Sequence, residues 1–297
     1  MIFKRKNTPS LYAGIDSMYL PALVLVGIFI FYPFFRGVVI SCTNWNGYSP
    51  AFKFVGLKNY LNMFTDRRVL NTVRNTLVYG LGSTLLQTVF GFLLALFLDG
   101  RLRGRGFVRT IVYLPVIISP LIMGYIWYFF FRYSGGAMND VMTFLGAEPV
   151  DWFASSRRAV WVITGINSFQ YVGVAMIIFL AGLQSIGRHY YEAAVIDGAG
   201  KAQQIRRITI PLLMPAINTN VIFAVIMGMK LFDVIVATTN GGPGYASQSL
   251  STMMYALYFS AQDAGYAAAL GNLMLLIILL ITGALLKFFR SREVDLV

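Results

Sequence analysis

The stretch AVWVITGINSFQYVGVAMIIFLAGL, residues 159–183, carries no Asp, Glu, Lys or Arg. A hydrocarbon core about 30 Å thick needs ~20 mostly apolar helical residues to cross it, and this run is long enough. Its polar members, Asn167, Ser168, Gln170 and Tyr171, gather in one third of the run. At membrane depth such side chains pair with a neighbouring helix or face a cavity.

Working outward, five further segments have the same character: about 18–41, 73–98, 110–131, 214–237 and 267–289. The whole chain agrees with them. It has 297 residues, of which 57% are hydrophobic and 12% charged, with a mean hydropathy of +0.67. A soluble domain carries about a quarter charged residues, so a bilayer is the natural solvent for this apolar excess. The reading is an all-α membrane protein with six transmembrane helices, forming a single domain over residues 1–297. Cys42 is the lone cysteine, so no intrachain disulfide can form. The first run, Met18 to Cys42, is too long for the core of a signal peptide and no small-x-small cleavage site follows it. It reads as a retained span.

The net charge of +12 falls in short clusters between the apolar runs. That is the pattern of topology determinants; no basic patch is interleaved with aromatics, and no nucleic-acid partner is expected. With both termini in the cytoplasm, the inner segments hold Lys4, Arg5, Lys6, Arg101, Arg103, Arg105, Arg109, Arg188, Lys201, Arg206, Arg207, Lys287, Arg290 and Arg292. The outer segments are longer and hold fewer, and the last of them, about 238–266, has no Lys or Arg. Trp45, Trp152 and Trp161 fall at outer helix ends and Trp127 lies toward one, where amphipathic rings prefer to sit.

The one long inward loop, QSIGRHYYEAAVIDGAGKAQQIRRITIPLL at 184–213, is too polar to span and too patterned for a slack linker. It reads as helix, a turn at Gly198–Gly200, then helix. Small residues permit close approach of another surface, and the Glu192 and Asp197 carboxylates supply directional contacts. A solvated surface helix with ordinary caps accounts for the same pattern. Pro211 and Pro215 punctuate the start of the fifth span.

Catalytic signatures are absent: there is no GxxxxGK[ST], HExxH or GxSxG, and no metal cluster. The chain is expected to be no enzyme and to hold neither cofactor nor metal. His189, the only histidine, reads as a surface or packing residue. Apart from Arg74 and Lys287, which are counted with the flanking segments, the charged residues within the spans are Arg36, Lys230 and Asp233. Arg36 lies near a helix end and can snorkel. Lys230 and Asp233 are three apart and can pair on one helical face, either as a structural contact or as lining of a passage. Pro115 and Pro120 imply a kink in the third span, either a gate beside a cavity or a bent helix.

The inward loop strongly resembles the EAA loop of ABC importer permeases. That pattern is EAA, three residues, Gly, nine residues, then Ile-x-Leu-Pro. Here Glu192, Ala193 and Ala194 are followed by Gly198, and Ile208-Thr209-Ile210-Pro211 closes the spacing with Ile210 in place of leucine. Gly187 stands where the family often has proline, and Ala202 and Ile205 lie where it often has aromatics. FVGLKNYLNMF (54–64), NTLVYG (75–80), GRGFVRTIVYLP (104–115), TNGGPG (239–244) and GYAAALG (265–271) resemble the carbohydrate-uptake branch in the same order.

The resemblance implies the ABC importer type I permease fold and a place in a bacterial inner membrane. It implies an ATPase-coupling contact at Glu192, Ala193, Ala194, Asp197, Gly198 and Pro211. The implied partners are a second, related permease chain, an ABC ATPase dimer that carries the ATP and Mg, an extracellular or periplasmic sugar-binding protein, and membrane lipid. In the maltose-type relatives the helices flanking this loop line the sugar path. Asn167 and Gly228 fall at corresponding positions, with Gln170, Tyr171 and Lys230 as further candidates, for which packing between helices is the first expectation. The substrate would be an oligosaccharide or disaccharide, or glycerol phosphate. The competing reading is an ion-coupled secondary transporter of small polar solutes, a class that usually shows intramembrane carboxylates or paired repeats.

Overall fold

The computed structural model describes residues 19–100 and 103–292. Lys4, Arg5, Lys6, Met18 and Arg101 lie outside them. Helices dominate, and among the described residues the only β-pairing is an isolated bridge between Thr43 and Phe54. Helix α1 runs Tyr19–Ser41 and α2 Lys58–Thr65. Helix α3 spans Arg67–Asp99, starting several residues before the expected second span. Then come α4 (Arg105–Ile117), α5 (Pro120–Phe131), α6 (Ala137–Phe144) and α7 (Ser156–Ser185). The inward loop forms α8 (Arg188–Ile196) and α9 (Lys201–Leu212). Helices α10 (Met214–Met229), α11 (Asp233–Thr238), α12 (Leu250–Tyr255) and α13 (Ala264–Arg290) complete the bundle. Among the described residues four helices, α1, α3, α7 and α13, are long and apolar enough to cross a membrane, and the count reaches six if each of two bent pairs, α4–α5 (100°) and α9–α10 (68°), is one span.

Two spans depart from the expectation of continuous helices. The third is broken into α4 and α5, which meet at 100°. Pro120 has no backbone N–H and disfavours helical geometry in the residue before it. Ile118 and Ser119 accordingly turn extended, with ψ of 135° and 133°. Pro115, by contrast, stays inside α4.

The fifth span stops at Met229 and resumes at Asp233. Lys230 closes α10 with φ −87° and ψ 7°, and Phe232 precedes α11 at φ −134° and ψ −63°. The pair three residues apart therefore shares no helical face, and the expected Lys230–Asp233 ion pair does not form. Both side chains are exposed in the isolated chain. The only ion pair among the described residues is Arg68–Asp66.

The centre of the bundle is α3 laid along α7. The two run in the same direction: Gly82 adjoins Thr164 at one end, Gly91 adjoins Ala175 further along. Ala95 and Leu98 pack with Met176, Phe179, Leu183 and Leu213. Tyr79, Ile163 and Ile166 pack with Leu231, Val234 and Ile235. Leu85, Leu93 and Phe97 of α3 and Leu276, Leu279 and Leu280 of α13 are exposed, as suits a surface solvated by lipid. The Trp127 ring, expected toward the interface, is packed among Phe130, Phe131 and Phe169.

Beyond the spans, asparagines tie the loops down. Asn59 Nδ2 donates to Ser41 O (2.8 Å) and Thr43 O (2.9 Å). Asn139 donates to Tyr133 O and Val150 O, and its Oδ1 accepts from Val150 N and Trp152 Nε1. Each such side chain satisfies backbone groups that a loop cannot pair for itself.

Candidate coupling helix and membrane path

Helix α8 begins after Gly187, which is extended, and ends in a built cap. Gly198 takes φ +75°, a left-handed conformation that glycine adopts without a side-chain clash. Gly198 N donates to Val195 O (3.0 Å) and Ala199 N to Ala194 O (2.8 Å), the paired bonds of a Schellman ending. Gln204 Nε2 then bonds Ala199 O (2.8 Å), and the Tyr191 hydroxyl meets Thr209 Oγ1 at 3.1 Å, holding α8 against α9. The turn expected at Gly198–Gly200 is present.

This scaffold turns Ala194 inward and leaves Glu192, Ala193, Asp197 and Gly198 exposed. Pro211, in α9, is half-buried. Glu192 and Asp197 have no side-chain hydrogen bond or ion pair among the described residues. Two neighbours were not singled out by sequence: Val195 and Ile196 are 65% and 86% exposed. No local signal marked them, since consecutive apolar residues also occur on the buried stripe of an ordinary amphipathic helix. An exposed short helix offering two carboxylates, small residues and two aliphatic side chains has the chemistry of a docking knob. The His189 ring lies tilted against Tyr190, 4.2 Å between centroids, and takes no part in a metal-ligating cluster among the described residues.

The membrane-depth candidates divide. Asn167 is 2% exposed and donates to Ser83 Oγ at 3.0 Å, so it sits within the α3–α7 contact and not on an open wall. Gln170 is fully buried, donating to Ile118 O (3.1 Å) at the α4–α5 break. Gly228 is a close-approach residue: a Cβ there would stand 2.8 Å from Tyr79 O and 3.0 Å from Gly80 Cα. In the isolated chain none of the three is exposed. Tyr171 is half-buried, within electrostatic range of Asp233, and Lys230 is exposed nearby in sequence to it.

Between α11 and α12 the chain folds back into the bundle. Asn75 Nδ2 donates to Ala246 O (2.8 Å) and Gln248 O (3.1 Å), the Tyr79 hydroxyl to Ser247 O (2.8 Å), and Ser249 Oγ to Leu231 O (2.7 Å). Ser249 and Thr252 form a reciprocal cap that starts α12. The NTLVYG stretch thus contributes Asn75, Thr76 and Tyr79 as anchors for the segment after TNGGPG. No local periodicity reveals this, because the partners are about 170 residues apart.

Comparison with known proteins agrees with this layout. The trehalose/maltose transport system permease protein MalF of Thermococcus litoralis is 34% identical over 276 residues, covering 93% of each chain. The multiple sugar-binding transport system permease protein MsmF of Streptococcus mutans is 33% identical over 285 residues, covering 95% of this chain and 97% of that one. Among solved structures, a bacterial ABC transporter involved in the import of the acidic polysaccharide alginate superposes with a TM-score of 0.81 at 24% identity, covering 94% of this chain and 96% of that chain. That likeness shows the fold, an ABC importer permease fold. Residues 87–293, from within α3 through α13, match one family. The chain belongs to the family of binding-protein-dependent transport system inner membrane components.

Proposed function

We propose that this chain is one of two membrane subunits of an ATP-driven, binding-protein-dependent importer of sugars, working as a single permease domain in a bacterial inner membrane with both termini in the cytoplasm. The observation that carries the reading is α8: Glu192, Val195, Ile196 and Asp197 are all exposed on a helix whose ending is fixed by Gly198. A separate ATPase dimer, holding the ATP and Mg, docks there. Closure of that dimer moves α8, and the movement passes through the Tyr191–Thr209 contact to α9 and α10. The names of the relatives, a trehalose/maltose and a multiple sugar system, support sugar as the substrate class. A sugar-binding protein delivers the substrate to the outer side.

One chain supplies half a wall. Lys230 and Asp233 are exposed within the fifth span, and charges at that depth face a water-filled path or a protein partner, not lipid. We assign Lys230, Asp233 and Tyr171 to the path side, facing a second, related permease. Asn167, Gln170 and Gly228 fix the wall behind them.

The test is purification of the chain from membranes in mild detergent with identification of what accompanies it. Native protein is expected to bring an ATPase and a second permease, and Glu192→Lys and Gly198→Asp to release the ATPase while keeping the permease. An ATPase retained equally by both variants would remove α8 as the dock.

A further inference from the structure

The returning outer segment holds a buried side chain whose amide has no protein partner among the described residues. Gln248 is 7% exposed, its backbone is engaged by Asn75 and Tyr245, yet its side-chain amide has no hydrogen-bond partner among the described residues. It is not a loose side chain. A Cβ at Gly241 would stand 2.6 Å from Gln248 Cγ, so the chain above packs directly on it. The residue is held in place by this packing, while its amide atoms are not sealed off and stay open to a partner from outside the chain.

The amide borders a cavity of about 500 Å³, within the size range of small-molecule sites. Asn240, which is exposed, borders it too, held at φ +47°, with no side-chain hydrogen bond among the described residues. Three aromatic residues stand among the aliphatic and hydroxyl side chains of the remaining wall: Tyr245, and Phe232 with Tyr255, whose rings meet edge-on at 5.4 Å. Arg68 stands on the rim, but its guanidinium is bonded to Asp66 at 3.0 Å and lies over the Tyr245 ring at 5.8 Å. Paired with Asp66, it brings no net charge to the rim.

Each amide offers both donors and an acceptor, and the aromatic rings offer apolar faces. The neutral ligand that answers both is a pyranose ring, with hydroxyls on its edge and C–H groups on its faces. We propose that this cavity is a carbohydrate subsite at the outer mouth, in which Gln248 and Asn240 bond hydroxyls of one sugar unit against Tyr255. The inference rests on the sugar-importer reading above. Phe232 separates the exposed Lys230 from Asp233 in sequence and borders the cavity, so the subsite continues the path outward. A sugar long enough to leave its trailing unit there gains a contact that a short one lacks.

The experiment measures initial uptake of radiolabelled mono- to tetrasaccharides of the α- and β-glucan series by cells carrying the complete importer. The variants are Gln248→Leu, close in shape, and Asn240→Gly, which removes the amide and keeps the left-handed backbone. Each is expected to lower the ratio of tetrasaccharide to disaccharide uptake by up to about tenfold, the span of one net hydrogen bond. An unchanged ratio overturns the subsite and leaves the importer reading standing. An equal fall for all sugars with loss of subunit co-purification assigns these residues to assembly and also overturns it. Failure of the native importer to take up any of the sugars overturns the sugar reading and the subsite together.

Discussion

Asn167 Nδ2 donates a hydrogen bond to Ser83 Oγ at 3.0 Å, and through it the fourth apolar span is joined to the second at a buried point. Bonds between membrane helices average ~0.6 kcal/mol and reach ~1.7. Asn167→Ala and Ser83→Ala are each expected to lower stability by about 1 kcal/mol, and the double variant by less than the sum. Thermal unfolding of the detergent-solubilised protein measures the cycle. Additive losses would mean that the two side chains do not act on each other, and would return Asn167 to the list of path residues.

Gly228 decides how closely α10 can cross α3. Any side chain there meets the backbone of Tyr79 and Gly80, which cannot swing aside as a flexible side chain does. Gly228→Val should cost about 1–3 kcal/mol through overpacking. Gly283, on α13, has nothing within 4 Å of its added Cβ, so Gly283→Val is the matched control and should leave the unfolding temperature close to native. Equal effects at both positions would mean that glycine loss itself, and not the crossing, is being measured.

Gly198 has a different constraint. Nothing lies within 4 Å of an added Cβ, and only its φ of +75° resists substitution. A left-handed conformation costs an L-residue about 1–2 kcal/mol, and asparagine tolerates it best. Gly198→Asn should therefore keep the end of α8, while Gly198→Val should unwind it. Hydrogen exchange at the Gly198 and Ala199 amides, both bonded in the native cap, reports the difference. Equal exchange in the two variants would dissociate the cap from the backbone angle.

The sequence displayed some of this directly and hid the rest for identifiable reasons. Spans such as 159–183 were legible because lipid demands long apolar runs and little else. The α8 turn was legible because Gly198 and Gly200 interrupt a local pattern. The α4–α5 break was announced by Pro120, but prolines signal a bend and not its angle. Lys230 and Asp233 misled because i,i+3 pairing assumes one continuous helix, and α10 ends between them. Asn167 and Gly228 drew attention by correspondence with relatives, whereas their contacts are with Ser83 and Tyr79, more than eighty residues away. Gln248 gave no signal at all: an unpaired amide can be recognised only once every other partner is in place.

Asp66 links charge to structure at the start of α3. Its Oδ1 accepts from Arg68 N at 2.9 Å, capping the helix, and its Oδ2 meets Arg68 Nη2 at 3.0 Å. The Arg68 side-chain bond, reinforced by the bonded backbone amides of the first turn, holds the Asp66 carboxyl below the usual carboxylate range. Because the folded value lies below the unfolded one, this stabilisation is complete above the ordinary pKa of about 4 and is lost as pH falls through the lower, folded value. Arg68 is more than half exposed, so water and salt reduce the ion pair to under about 1 kcal/mol. Asp66→Asn keeps a cap and removes the charge, so its unfolding temperature should fall less than the native protein's as pH drops below about 4. Asp66→Ala removes both, and should cost about 1 kcal/mol already at neutral pH. The same acid slope in native and Asp66→Asn protein would place the proton uptake on another group.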